Sequence, residues 1–423
     1  MKKFSILMFL ALLFLSAAGQ SFAETLENAW KIGLQGDHLL KAAGQETRSR
    51  QADLAAAKGK RLPTVNLGAG YAILDNEPAA FAQTIQFTTA DDQSLTYHAM
   101  VSLPLYTHFQ ISSLIDAATA NLKAGKIAEE TTQQKIKLKI AEAYMAILLT
   151  IQQANVAKSH EQSLAAHATD VKNLHDEGMV PVNDLLAAKV ALANARQMTL
   201  QAQNRLDIAR SAYNRLLSRP LDFKFKIETV TPNYPESNLS TLNEKARQNR
   251  PELAVLREQI GALKWQAKSA KAASGPKVML KSGYDYRENS HQLHEGVWQA
   301  MVLASWDIFD GNVAKNKGLA FKAQSQSLIE QHQELESLIL LQVRQAWLDI
   351  EESRKRIEVT KETLEQAEEN LKVTRNRYKE GIGTNTEVLD AETLRTINYV
   401  NFDKAGNDAT LAIIRLHYAT GSL

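Results

Sequence analysis

The chain has 423 residues, a formal net charge of +2 and no cysteine. A balance that close to neutral gives no footing for a nucleic-acid surface or a charged interaction tail. The lack of cysteine excludes disulfides, thiol catalysis, zinc–thiolate centres and lipid attachment through an N-terminal cysteine.

Residues 1–23 read as a secretory signal. Lys2 and Lys3 form a positive start, Phe4 to Leu15 an apolar core, and Ser21-Phe22-Ala23 a small-x-small cleavage site before Glu24. That core is too short to span a bilayer, and no later run of about 18 apolar residues predicts a transmembrane helix. The mature chain is expected to be exported.

From Thr25 to Gly59 the apolar spacing is helical, with Leu26, Ala29, Trp30, Leu39, Leu40 and Ala43 on one side. Pro63 breaks it, and period-two alternation predicts strands at about 64–74 and 95–106, separated by a polar loop with Pro78, Asp91 and Asp92. Helices are expected over about 109–177 and 183–217. Residues 219–239, with Pro220, Pro232 and Pro235, read as a crossing linker. A second helix–strand–strand–helix–helix series follows, with a helix over about Leu242–Ala273, strands at about 277–287 and 296–309, and helices over about 313–379 and 385–420.

The second long helix carries Val343, Ile350, Ile357, Leu364, Leu371 and Tyr378 at seven-residue spacing. Three residues after each of the first five stand the small Ala346, Ser353, Thr360, Ala367 and Thr374. This is a heptad pattern whose second seam lets backbones approach closely, which suits many helices packed side by side. The pattern stops at Gly381-Ile382-Gly383-Thr384, and a new helix starts at once. The same passage occurs earlier: His175 to Ala188 aligns without a gap on Tyr378 to Ala391, Gly178 and Gly381 standing 203 positions apart. Pro63 and Pro276 stand 213 apart, so the first strand-to-strand loop is ten residues longer than the second. The chain is thus two tandem repeats, residues 24–218 and 240–423, each a β-hairpin with a long helical hairpin.

In the last strand, Trp298 and Trp306 bracket an apolar face and lie ~26 Å apart along an ideal strand. An outer-membrane barrel has an apolar band about 25 Å tall between aromatic girdles. A soluble sheet with one buried face produces the same alternation, and the strands alone do not choose between them. The helices shift the balance. An unbroken run of about 67 residues would extend roughly 100 Å, more than a globular domain can bury, whereas a tube of helices can hold it. Four strands leave two open edges, which lipid does not tolerate, so several copies are expected to share one barrel. Two, three or four copies would give eight, twelve or sixteen strands, and a conducting lumen favours more than eight.

With these elements placed, the chain resembles the TolC-like outer-membrane efflux proteins from Thr25-Leu26 to Gly421. The marks are Leu103-Pro104-Leu105-Tyr106, its partner Trp306-Asp307-Ile308-Phe309-Asp310-Gly311, and Tyr378-x-x-Gly381-x-x-Thr384-x-x-Glu387-Val388-Leu389-Asp390-Ala391. The resemblance implies a mostly α chain with a membrane β-barrel. It implies a homotrimer with four strands per chain, continued by an α-barrel tunnel into the periplasm of a Gram-negative cell. It also implies a passive channel that docks to a periplasmic adaptor protein and an inner-membrane transporter, with no cofactor and no nucleic acid.

Glu387 and Asp390 lie three apart on one helical face, and in three copies would make a ring of six carboxylates able to attract cations. Thr384-x-x-Glu387 is equally a capping box, and residue chemistry alone favours that structural role. The resemblance assigns Glu387 and Asp390 to the periplasmic gate, together with Asp184 and Tyr378. Tyr378 also continues the heptad. Gly383 stands where the best-known relatives carry an arginine, so one gate link is expected to be missing. The turns Gly178-Met179-Val180-Pro181 and Gly381-Ile382-Gly383-Thr384 would be adaptor-docking tips, each glycine serving a helix end that needs a left-handed residue. His291-x-x-His294-Glu295 falls in a loop without further ligands and reads as solvated, not metal-binding. The alternative, a periplasmic adaptor, should have one hairpin flanked by compact β domains instead of two direct repeats. No phosphate loop, nucleophile elbow or zincin signature points to an enzyme.

Overall fold

The computed structural model describes residues 23–234 and 238–423. The expected signal segment lies, but for Ala23, outside the described residues, as do residues 235–237 of the linker.

In the first half of the chain, α1 (Leu26–Gly36) and α2 (His38–Gly59) lead into β1 (Thr64–Ile73). A small hairpin of β2 (Ala79–Ala82) and β3 (Ile85–Thr88) fills the longer loop before β4 (Gln93–Tyr106), and α3 (Gln110–Asp176) and α4 (Val182–Leu216) follow. The second half comprises α5 (Leu239–Asn249), α6 (Pro251–Ala272), β5 (Lys277–Arg287), β6 (Gly296–Ser305), α7 (Val313–Lys379) and α8 (Asn385–Ala419). Corresponding helices match in length: 11 residues in α1 and α5, 22 in α2 and α6, 67 in α3 and α7, 35 in α4 and α8.

The periodicity over Thr25–Gly59 predicts one helix, whereas the chain forms two. Asp37 leaves helical geometry at ψ 126°, and its Oδ1 accepts from Leu39 N at 2.7 Å and Leu40 N at 3.0 Å, capping α2. The second half breaks at the equivalent place for another reason. Arg250, at ψ 115°, precedes Pro251, which disfavours the α region at the residue before it and then serves as the first residue of α6.

Two compact units result, and each draws on both halves of the chain. One comprises residues 42–130 and 251–336; the other comprises residues 131–250, 337–423 and the described part of 1–41. In the first, four antiparallel strands form a sheet in the order β1-β4-β5-β6. Leu67, Ala99, Tyr284 and Trp298 stand in one row across it, and Val65, Val101, Ser282 and Ala300 in another. This face is apolar and largely exposed, with Trp298 78% accessible and its ring 5.3 Å from that of Tyr284. The opposite face is polar. His98 Nε2 meets Asn66 Oδ1 at 3.0 Å, and Gln299 donates to Asp285. Strand β6 stops at Ser305, short of the predicted end near 309, because its partner β5 begins at Lys277 opposite Ser305. Nothing remains there to pair with Trp306.

The second unit is helical. Ile140, Tyr144 and Ile147 of α3 are fully buried with Tyr213 of α4 and Ala29 of α1, and Ile414 of α8 is buried beside them; each large apolar side chain contributes about 1.5–3 kcal/mol. The linker packs here too. Tyr144 Oη donates to the carbonyls of Glu24 at 2.8 Å and Glu228 at 2.7 Å, and Arg219 pairs with the Glu24 carboxylate at 2.7 Å. The heptad face of α7 is turned inward at Val343, Ala346, Ile350, Ser353, Ala367, Leu371, Thr374 and Tyr378. A separate apolar cluster gathers the ends of four helices: Ala168 and Val171, Leu185 and Ala188, Leu371 and Tyr378, Val388 and Ala391.

Candidate functional site

The helix reversals have the same backbone construction. After α3, Gly178 N donates to His175 O and Met179 N to Leu174 O, both at 2.8 Å. After α7, Gly381 N donates to Tyr378 O at 3.1 Å and Ile382 N to Arg377 O at 3.0 Å. This pair of bonds is a Schellman cap, and Gly178 and Gly381 take the left-handed geometry it requires, at φ 75° and 73°. Met179 and Ile382 stand exposed at the two turns.

The next helices start differently. Pro181 caps α4 without a side-chain bond, whereas Thr384 opens α8 with a full capping box. Thr384 Oγ1 accepts from Glu387 N, and Glu387 Oε2 accepts from Thr384 N, both at 3.3 Å. Glu387 therefore has one carboxylate oxygen turned to its own helix end, and Asp390 lies one turn further along α8.

Of the four expected gate residues, the structure brings Tyr378 and Asp184 together. The Tyr378 ring is 6% accessible and lies 5.5 Å from that of His167. Its Oη is buried without a hydrogen-bond partner. Burial first, and then the charge of Asp184, hold its phenol above the ordinary tyrosine range. Asn385 ties three helices at this point: its Nδ2 donates to Asp184 O at 3.2 Å, and its Oδ1 accepts from His167 Nε2 at 2.7 Å. Trp298 and Trp306 belong to the other unit. Trp298 is on the apolar face of β6, and Trp306 is one residue beyond the strand, 63% accessible.

One buried charged cluster escaped the sequence analysis. Glu392 of α8 is fully buried. Its Oε1 accepts from Ser163 Oγ of α3 at 2.6 Å and from Arg375 of α7, which also reaches Ser163. Its Oε2 lies 3.1 Å from Arg395 Nη2 and 3.8 Å from His160 Nδ1. The Arg395 approach is close enough for an ion pair but outside hydrogen-bonding geometry, as Oε2 has no hydrogen bond. Burial pushes this carboxyl upward, and His160, Ser163, Arg395 and Arg375 outweigh it, so the group sits below the usual glutamate value. A sequence signal existed. Asn385, Val388, Glu392 and Thr396 follow one helical face at three- and four-residue steps, placing a carboxylate among buried positions.

The loop histidines do not gather as ligands. His291 Nδ1 lies 3.5 Å from Asp91, while Glu295 accepts from Tyr286 Oη at 2.8 Å and from Asn289 N at 3.1 Å. Among the described residues no group of three His, Cys, Asp or Glu side chains is arranged to hold a metal ion. No helix among them is long and apolar enough to cross a membrane.

A sheet apolar on one face and polar on the other, with each of its hairpins followed in the chain by a pair of long helices, is the chain architecture of an outer-membrane channel protein. The chain belongs to the family described as Outer membrane efflux protein, which matches residues 32–218 and 242–422. It is 22% identical over 429 residues to the alkaline protease secretion protein AprF of Pseudomonas aeruginosa, covering 95% of this chain and 85% of that one. It is also 22% identical over 432 residues to outer membrane protein TolC of Vibrio cholerae, covering 97% and 95%. The fold is that of the outer membrane protein VceC of Vibrio cholerae, with a TM-score of 0.81 at 18% identity over 94% of this chain and 96% of that one. The protein is an outer-membrane efflux channel, not an enzyme. The adaptor alternative is not favoured.

Proposed function

We propose that three copies assemble, with an exported chain of two repeats (residues 24–218 and 240–423) in each, into a conduit from periplasm to exterior. A periplasmic adaptor and an inner-membrane transporter complete the system and supply the energy. The observation that carries the assembly is the sheet itself. Strands β1 and β6 are its two edges, and within lipid their unpaired backbone groups have no water to turn to, so each edge takes a strand from a neighbour. Trp298 and Trp306 mark the aromatic rims of the band.

The periplasmic gate is formed by Glu387, Asp390, Asp184 and Tyr378, and the adaptor docks on the tips Gly178-Met179-Val180-Pro181 and Gly381-Ile382-Gly383-Thr384. What supports this reading is that Asp184 and Tyr378 meet at one buried cluster, while Glu387 and Asp390 flank its Val388 in the chain. With Gly383 in place of an arginine, the buried network through Asn385, Glu392 and Arg375 takes over the fastening of the second hairpin. Planar-bilayer recording tests the gate. Glu387→Gln with Asp390→Asn should weaken block of the current by multivalent cations, and unchanged block removes the carboxylate ring. An oligomer that runs as a trimer on unheated gels supports the assembly; a monomer that conducts nothing sinks it.

A further inference from the structure

We infer that a lysine collar at the helix end of the sheet binds the phosphate headgroups of anionic phospholipid in the periplasmic leaflet. The inference uses the outer-membrane placement and is independent of the gate. The apolar face of the sheet can be followed residue by residue to this collar. A bulge between Pro104 and Tyr106 returns Tyr106 to that face, opposite Val278. The Tyr106 ring meets Phe109 edge-on at 6.4 Å. Lys268 Nζ of α6 lies 5.9 Å from the Phe109 ring centre and 5.0 Å from that of Trp265. Exposed aromatics and lysine stems thus continue the lipid-facing surface where headgroups begin, the arrangement in which long cationic side chains lie along apolar surface and keep the charge in the polar layer.

Lys264 and Lys271 share the helical face of Lys268, being four residues before and three after it. Ser269 turns the other way, its Oγ donating to Gln110 O of α3 at 2.9 Å. Lys271 then crosses to α7. It lies over Gly318, where a Cβ would stand 2.6 Å from its Cγ, and it meets Lys322, whose charge holds the Lys271 ammonium below its ordinary value. Lys315 lies seven residues before Lys322 on the same helix face.

These five lysines are exposed, and no Asp or Glu occurs between Lys264 and Gly275 or between Gly311 and Ile329. The two carboxylates just before α7 are engaged elsewhere: Asp310 caps α7 at Ala314 N, 2.8 Å, and Asp307 lies 3.8 Å from Lys277. Two ammonium groups held together without a counter-charge favour an anion between them. A phosphodiester whose acyl chains continue onto Tyr106 and Phe109 supplies the charge and covers the aromatic surface at once.

The test is native mass spectrometry of the full protein in neutral detergent, titrated with phosphatidylglycerol or with phosphatidylcholine of the same acyl chains. Phosphatidylglycerol should be retained preferentially. Lys268→Gln/Lys271→Gln/Lys322→Gln should weaken its binding by about a hundredfold, at a factor of roughly five for each lysine near an anionic surface, while phosphatidylcholine binding stays unchanged. A control triple in the other unit, Lys189→Gln/Lys355→Gln/Lys361→Gln, changes net charge equally and should leave the preference intact. No preference in the parent protein, or equal loss in both triples, overturns the site. Conductance in phosphatidylcholine bilayers reads assembly separately, so a defective pore and a missing lipid site give different results.

Discussion

Arg375, near the end of α7, donates to the carboxylate of Glu392, which is fully enclosed in α8. Ser163 of α3 binds the same oxygen, so one buried charge fastens the second helical hairpin to the first. Removing one partner of a fully buried pair typically costs about 3–5 kcal/mol, whereas replacing both is far milder; here Arg375 is a third exposed and Arg395 stays beside Glu392, so the loss falls below that range. Glu392→Gln or Arg375→Met alone should therefore lower the thermal midpoint in detergent and speed proteolysis at the helix reversals. The double variant should recover much of the loss. Additive losses would show that the two side chains act independently.

His167 makes the same region sensitive to acid. Burial above all, with Arg375 adding to it, holds the imidazole below its ordinary value, against the opposing bond to Asn385. The unfolded chain takes up a proton near pH ~6.5, while the folded chain binds it only at lower pH. The stability contributed by neutral His167 is present above about pH 6.5 and declines as the pH falls below it. A midpoint that drops between about pH 7.5 and 5.5 in the parent protein, and drops less in His167→Gln, is the expected result. Identical slopes would exclude His167 as the source.

The two reversals separate backbone strain from packing. A Cβ on Gly178 or Gly381 meets nothing within 4 Å, so Gly178→Ala or Gly381→Ala tests conformation alone and should cost ~1–2 kcal/mol through the left-handed backbone. Equilibrium unfolding should show similar losses at the two sites. A much larger loss at either one would mean that its turn carries a contact beyond the backbone.

Thr384→Ala should cost ~1 kcal/mol, because α8 loses its side-chain cap and Glu387 its reciprocal bond. Faster amide exchange confined to the first turn of α8 is the expected readout. Pro181 offers no cap to lose at the equivalent place in α4, so Pro181→Ser should slow exchange there.

Much of the architecture is legible in the chain itself, since it depends on periodicity. Alternation at two residues marks the four strands and their apolar face, the seven-residue series marks the inward side of α7, and Gly178 and Gly381 mark reversals that favour a left-handed residue. The break at Asp37 was hidden, because the apolar spacing runs through it and only the turned carboxylate caps the new helix. Residue types alone also could not place Glu392. A single acid in a helix is usually solvated, and its role depends on Ser163, 229 residues earlier in the chain, and on Arg375 from another helix. Local spacing determined which residues share a face, because that follows from backbone geometry. Which charges meet inside was decided only by packing, because those partners come from distant helices.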